Sequence, residues 1–497
     1  MKTDVVVVGG GGTGVAAAIG ARSQGVNVVL LEKNATLGGT TARSIGSISA
    51  TQTADQKRAG IVDTPDEHFE DMDKFSQHHG DRPDNRELAR ILVDNVPETV
   101  RLLSEWGVVF LGPLDEPPHR KPRMHQIMPN SAAYIFHSER HARRIGVNIV
   151  TQARARRLLT DNGEVTGVEF ERADGTVETL EATRGVILAA GDYAADPEFK
   201  GKFISPAVGA TEAVNPTNTG DGHRMALELG ARIINADMFG GGMRFVRPPQ
   251  PAWQSRLPPW RWLMRASNLA LRIAPKSAVR QFLMGFVTTV VVPERGMFRD
   301  GAILINKKGE RFAEETKGMV FDMAYQPDGI AYILFDASVA KKYTQWPHYV
   351  STAPGIAFAY LQDYENTRPD LFRRGETLAA LAGKLGMDAP TLQKTVQTYN
   401  ASAEARGTRP AIGDGPYIAL GPVRNYINYT DGGLAINTNL QVLGKDDVPI
   451  PRLYAAGATG QGGLLLKGHG NHLGWGFTSG RLAGQNAARL VPRASAN

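Results

Sequence analysis

The run Asp4–Val8, followed at once by Gly9, Gly11 and Gly14, constrains this chain more than any other feature. Its β-branched residues read as a buried parallel strand, and the alanine-rich stretch Val15–Gln24 reads as the helix after it. The three glycines fall on the G-x-G-x-x-G spacing. One permits a tight turn, one lets the backbone approach a pyrophosphate, and one lets helix and strand pack closely. Gly12 and Thr13 complete the loop, and the free N–H groups of the helix N-terminus face the phosphates. A second strand, Asn27–Leu31, ends in Glu32, whose carboxylate can accept hydrogen bonds from ribose hydroxyls. Strand, glycines, helix, strand and acid in this order predict a dinucleotide site in an α/β domain.

A chain of 497 residues is too long for one ordinary core and predicts two or three domains. An apolar fraction of 42% with 55 glycines and 29 prolines fits a globular α/β enzyme. The chain contains no cysteine, which excludes disulfides, thiolate metal sites, iron–sulfur clusters and a cysteine nucleophile. A net charge of +6 over this length reads as a solvated surface, and no nucleic-acid partner is expected. No signal-peptide pattern precedes the first strand and no apolar run reaches the roughly 18 residues of a membrane span, so a cytoplasmic protein is expected. His137 and His141 are four residues apart and can share a helix face, but no third ligand is in view and no metal site is expected.

The choice of dinucleotide rests on the segment after Glu32 and Lys33: "LGGTTARSIGSISA", Leu37–Ala50, a second glycine-rich turn with small hydroxylated residues. Here the sequence resembles the fumarate reductase and succinate dehydrogenase flavoprotein superfamily. Its members carry a Gly-Gly turn at this point that touches the FAD ribityl chain and isoalloxazine. "GVILAAGDYAAD" (Gly185–Asp196), "NTGDGHRMALELGA" (Asn218–Ala231) and "GAILINKKGERFAEE" (Gly301–Glu315) are similar to further family segments. So are "LYAAGATGQGG" (Leu453–Gly463) and "NHLGWGFTSGRLAGQNAA" (Asn471–Ala488), which close the FAD site in the family. The resemblance implies non-covalent FAD, since no His lies in the second glycine turn. It implies cofactor contacts at Lys33, Gly38, Gly39, Thr40, Thr41, Ser44, Ala153, Ala190, Gly191, Asp221, Gly457, Gly474, Trp475 and Gly476 as well as in the first loop. Asp221 also makes a good helix N-cap, and the two roles are compatible. Ala458 stands where the family often has an acid or Asn that grips the ribityl chain.

The implied architecture is a Rossmann-type FAD-binding domain, residues 1–240 and 411–497, with an inserted α+β capping domain at 241–410. Within the first part, residues 148–191 read as a β-meander with "ADG" as a hairpin turn.

Over the flavin the sequence departs from the fumarate reductases. "MFGGGMRF" (Met238–Phe245) lacks their first His, "NYINYTDGG" has Asn428 and Tyr429 in place of the second, and His472 replaces an Arg. After the cap hairpin, "EETKGMVFD" has Gly318 near the position of the proton-donating Arg. With these clamps lost, a small dianion would go uncompensated, so a neutral apolar substrate is expected. The pattern is closest in type to the 3-ketosteroid dehydrogenases and cyclohexanone dehydrogenase. It implies introduction of a C=C bond beside a ketone, with electrons passed to an unknown acceptor. An enone or enoate reductase and a membrane-associated flavoprotein without ketone chemistry are the alternatives. Tyr193 is the first candidate for the base, Tyr429 for holding the carbonyl, and His472 for a further donor. Tyr193 also fits a packed aromatic, and the ketosteroid enzymes' cap tyrosine corresponds here to about Met319.

One stretch is unusual. Leu257–Pro293 sets Trp260, Trp262, Leu263, Leu269, Leu271, Phe282 and Phe286 among Arg261, Arg265, Arg272, Lys276 and Arg280, with no acid. It reads as a peripheral membrane contact or an oily lid, with core packing as a third reading.

Overall fold

The computed structural model describes residues 1–493 except 79–81, 249–255, 276–279, 281–283, 285–287, 289–292, 318–319, 354–356, 403 and 405–406. The valine run forms β1 (Lys2–Val8), buried from Val5 onward, and the alanine-rich stretch forms α1 (Gly12–Arg22). β1 is central because its side chains have no polar face to expose. It pairs in parallel with β2 (Val28–Leu31) on one side and with β3 (Val177–Leu188) on the other. Beyond β2 lies Asn148–Val150, and beyond β3 lie β6 (Pro449–Ala455) and then Gln441–Leu443. Val8 pairs with Leu31 and with Leu188, and Leu188 pairs with Ala455, so four strands end in line. The cleft beyond those carboxyl ends is where an α/β sheet binds its ligand.

Ala153–Asp161, Glu164–Arg172 and β3 form the antiparallel meander read from the sequence, and the "ADG" turn carries Gly175 at φ +83°. The last helix, α3 (Asn471–Arg489), lies directly on α1. A Cβ at Gly484 would stand 2.1 Å from the Ala17 carbonyl oxygen, so this approach admits only glycine.

The cap is a second sheet, wholly antiparallel: β4 (Phe239–Phe245), β5 (Tyr417–Thr430), Ala331–Phe335 and Ile303–Ile305, with Phe372–Gly375 also on β5. Separate apolar clusters fill its two faces, around Phe335 and Tyr364 on one and around Ile305 and Leu392 on the other. β5 belongs to the cap, so the chain returns to the first sheet after Thr430 and not at 411. A further helix, α2 (Arg261–Ile273), packs on the strand Val109–Leu114.

Candidate functional site

The two glycine turns are built against each other. Gly9 adopts φ +108° at the end of β1, and Gly14 lies so close beneath it that a Cβ would stand 1.8 Å from the Gly9 oxygen. Gly38 N donates to Gly10 O at 3.0 Å, and Gly12 N to Thr41 Oγ1 at 3.1 Å. Glu32 accepts from Gly10 N at 2.7 Å and from Asn34 N at 2.8 Å, which fixes its carboxylate at the rim of the cleft. Thr40 Oγ1 accepts from Asn218 Nδ2 at 2.9 Å, tying the second turn to the segment that carries Asp221. Lys33 Nζ reaches Asp221 at 2.7 Å and Arg154 adds a second contact at 3.0 Å. Burial opposes the Asp221 charge, but these cations outweigh it and hold the carboxyl below its ordinary range.

These groups open into one cavity of about 1350 Å³, larger than the roughly 300–1,000 Å³ of an ordinary ligand pocket. It runs from Gly11 and Glu32 past Ser44, Ala153 and Gly191 to Ala458, Gly476 and the cap. Nothing stands within 4 Å of where a Gly11 Cβ would project, so the space a pyrophosphate needs is present. The residues therefore fit FAD.

Several expected contacts take other roles. Gly474 and Trp475 do not line the cavity: a Gly474 Cβ would face Val96 and Leu92, and Trp475 is fully buried with Nε1 donating to Gly457 O at 3.2 Å. They sit on the face of α3 turned to the core, while His472, Leu473, Gly476 and Phe477 face the cofactor cleft. Gly38 and Gly457 likewise shape their turns from behind the lining. His137 Nε2 contacts Pro259 O at 2.8 Å, and His141 stacks on Trp106, so the two histidines are engaged separately.

Tyr193 requires a correction. Its ring is fully buried against Phe199 and His223, outside the cavity lining, and its hydroxyl donates to Ala236 O at 2.6 Å. Burial and the neighbouring Asp192 raise the phenol far above its ordinary range, which holds its proton in place. The backbone turns at Gly191 (φ +84°) and sends Asp192, not Tyr193, to the cavity wall.

Tyr429 and His472 do meet over the cleft, with ring centroids 4.2 Å apart. Gly240 pairs with Tyr429 across β4 and β5, and a Cβ there would stand 2.2 Å from the phenol ring, so the glycine makes its place. Burial foremost, and then the charge of Asp431, raise Tyr429 well above the ordinary tyrosine range, so the phenol is a proton-bearing donor at neutral pH. His472 Nε2 lies 3.1 Å from Asp431 Oδ1, which also accepts from Gln461 Nε2 at 2.9 Å.

Sequence reasoning passed over Arg244, the last but one residue of β4. It lines the cavity, and among the described residues no carboxylate lies within ion-pair distance of it; its Nε has no hydrogen-bond partner. Burial, and then the charge of Arg247, lower its pKa from the ordinary value. Gly242, two residues earlier on the same face of the strand, leaves open space beside it. By contrast Glu315, the acid of the cap hairpin that also reaches the cavity, is consumed by Arg311 at 2.7 Å and Arg409 at 2.8 Å. The only signal of Arg244 in the sequence is the Arg of "MFGGGMRF". The positions near Gly318 and Met319 lie outside the described residues.

The family model described as FAD binding domain (FAD_binding_2) matches residues 4–241 and 271–468. The chain is 31% identical to urocanate reductase of Eggerthella lenta, covering 98% of this chain and 75% of that one. It is 26% identical to NADH:acrylate oxidoreductase of Vibrio harveyi over 98% of this chain, and spans 50% of that protein's length. It is 27% identical to 4-oxocyclohexanecarboxylate 2-dehydrogenase of Sinomonas cyclohexanicum, covering 98% of this chain and 92% of that one. Among solved structures, a flavocytochrome c3 fumarate reductase in its open conformation superposes with TM-score 0.72 at 25% identity, over 98% of this chain and 78% of that one. The cradle, the two-sheet architecture and this match agree: the chain is an FAD-dependent oxidoreductase belonging to the FAD-binding flavoprotein family of the fumarate reductases.

Proposed function

We propose that this protein reduces the C=C bond of an α,β-unsaturated carboxylate whose remaining groups are apolar. The observation that carries the reading is Arg244: a half-buried cation without an acidic partner among the described residues, facing a cavity that Met238, Phe239, Met243, Asn425 and Arg295 also line. Keeping such a charge desolvated and unpaired costs several kcal/mol, which a bound carboxylate offsets. A carboxylate bound at Arg244 replaces the neutral substrate expected from the sequence.

FAD, which the glycine turns, Glu32 and the Asp221 segment would hold, would supply the hydride chemistry. The chain's own groups then have two tasks. Arg244 holds the carboxylate and so fixes the substrate's orientation. Tyr429 Oη, protonated at neutral pH, is a donor beside the cavity, and His472 is held next to it by Asp431. A protonated phenol suits proton delivery better than proton abstraction, which favours reduction over ketone desaturation. The relatives named urocanate reductase and fumarate reductase support the same direction, and acrylate, urocanate and fumarate are all unsaturated carboxylates.

The test is anaerobic reoxidation of the dithionite-reduced enzyme by a panel of enoates, their methyl esters and enones. Reoxidation by the acids, about 100-fold slower for the esters, supports the reading. Arg244→Met should remove that preference while keeping FAD. Equal rates with acids and esters, or bleaching of the oxidised flavin by saturated ketones alone, would overturn it.

A further inference from the structure

The segment that interrupts the family match, residues 242–270, contains most of α2, and α2 presents two apolar faces where a docked helix needs one. The inner face carries Met264 and Leu271, which pack with Leu257 on Val109, Leu111 and Met128, and Asn268 Nδ2 donates to Phe110 O at 2.8 Å. That face fully accounts for the attachment of the helix. On the opposite side Trp262, Ala266, Leu269 and Ile273 recur at i, i+4, i+7 and i+11, within an arc of about 60°. Trp262, Leu269 and Ile273 are 66%, 61% and 78% exposed, and Trp260, 50% exposed, stacks on Trp262.

Charge accompanies this outer stripe. From Met238 to Pro293 the sequence has no acidic residue, and Arg261 and Arg265 fall on one flank between the two faces. Arg261 and Arg265 are exposed and form no ion pair among the described residues. An apolar stripe with a cationic flank, on a helix of 13 residues, matches a surface that is apolar within and anionic at its rim. A helix about 20 Å long cannot cross a hydrocarbon core of about 30 Å, and among the described residues no helix is long and apolar enough to do so. A second copy of this chain is disfavoured, since a two-fold contact through α2 would bring like-charged flanks together.

We infer that the outer face of α2 is an interfacial anchor that seats the protein on an anionic lipid bilayer, with Trp262, Leu269 and Ile273 entering the acyl boundary and the arginines at the headgroups. Such an anchor is independent of the proposed substrate and of Arg244.

The experiment is co-sedimentation of the holoprotein with phosphatidylcholine vesicles prepared with and without phosphatidylglycerol. The wild type should bind the anionic vesicles at least about tenfold better than the neutral ones, and raising salt from about 0.05 M to about 0.5 M should release much of it. The triple variant Trp262→Ser, Leu269→Ser, Ile273→Ser should lose about tenfold or more of the binding, with flavin content and melting temperature unchanged because these side chains touch solvent. Arg261→Gln with Arg265→Gln should remove the preference for anionic lipid. No binding of the wild type at low salt, or equal binding by the triple variant, would overturn the anchor. A lipid-free dimer in sedimentation equilibrium that the triple variant abolishes would also overturn it, and would assign the stripe to a second copy.

Discussion

The imidazole of His472 lies between two groups: its ring centroid is 4.2 Å from that of Tyr429, and its Nε2 is 3.1 Å from Asp431 Oδ1. A carboxylate can only accept, so this contact places the proton on Nε2 and turns Nδ1 away from Asp431. The same carboxylate raises the Tyr429 phenol, after burial. One buried acid thus orients the imidazole and adds to the burial that holds the proton on the phenol at the wall of the cavity.

Tyr429→Phe should therefore retain FAD and lose about 10²–10⁴-fold in kcat, the range of a positioned proton donor. Tyr193→Phe should behave differently. It removes the donor to the half-buried Ala236 O, costing about 1 kcal/mol of stability. Its kcat should change little. Steady-state kinetics beside urea unfolding of both variants separates the roles, and a large kcat loss in Tyr193→Phe with normal stability would contradict this assignment.

Gly11→Val should fold and fail to hold FAD. The backbone at Gly11 is extended, at φ −75° and ψ 179°, which valine adopts readily, and no atom lies within 4 Å of the new Cβ. The side chain would fill the space beside the N-terminus of α1 where the pyrophosphate must lie. Circular dichroism should be unchanged while the purified variant is colourless. A yellow variant would show that the phosphates pass elsewhere.

FAD should be released from the wild type by acid precipitation. No His lies between Leu37 and Ala50, and the chain has no cysteine, so the second glycine turn offers no side chain for a flavin bond. Absorbance of the supernatant at the flavin band checks this. Colour that stays with the pellet would point to attachment at a residue elsewhere along the cleft.

The cofactor half of the site was legible because it depends on local backbone: a strand end, a tight turn and a helix start leave their marks within about ten residues. Gly11, Glu32 and Thr40 could be placed from such marks. The substrate half was less legible because β4, β5 and α3 bring it together from three distant segments, and facing is decided by register. Tyr193 shows the cost. Gly191 turns the chain, so a residue just past a strand end faced the core while its neighbour Asp192 faced the cavity. Gly474 and Trp475 failed for a related reason, since helix phase gives the cleft to His472, Leu473 and Gly476. Arg244 carries no local mark, since no sequence pattern says that a strand arginine has no partner.

Asp192 gives the last prediction. It is 2% exposed and accepts from Ala194 N at 3.0 Å, Asn218 Nδ2 at 2.7 Å and Thr430 N at 3.2 Å. Burial nevertheless dominates those hydrogen bonds, Asp431 adds repulsion, and the carboxyl is pushed from 3.8 up to about 6. Between these two values the folded chain binds a proton that the unfolded chain has released, so stability must fall as pH rises through that window. A shift of this size corresponds to about 3 kcal/mol between the ends of the window. Asp192→Asn cannot ionise and should lack this slope, although it forfeits one accepted hydrogen bond. Urea unfolding of flavin-free protein at pH about 4.5, 6 and 7.5 should show the wild type losing stability relative to the variant as pH increases. A difference between the two proteins that stays constant across the three pH values would mean that Asp192 is ionised throughout, and that the hydrogen bonds from Asn218 and Thr430 outweigh its burial.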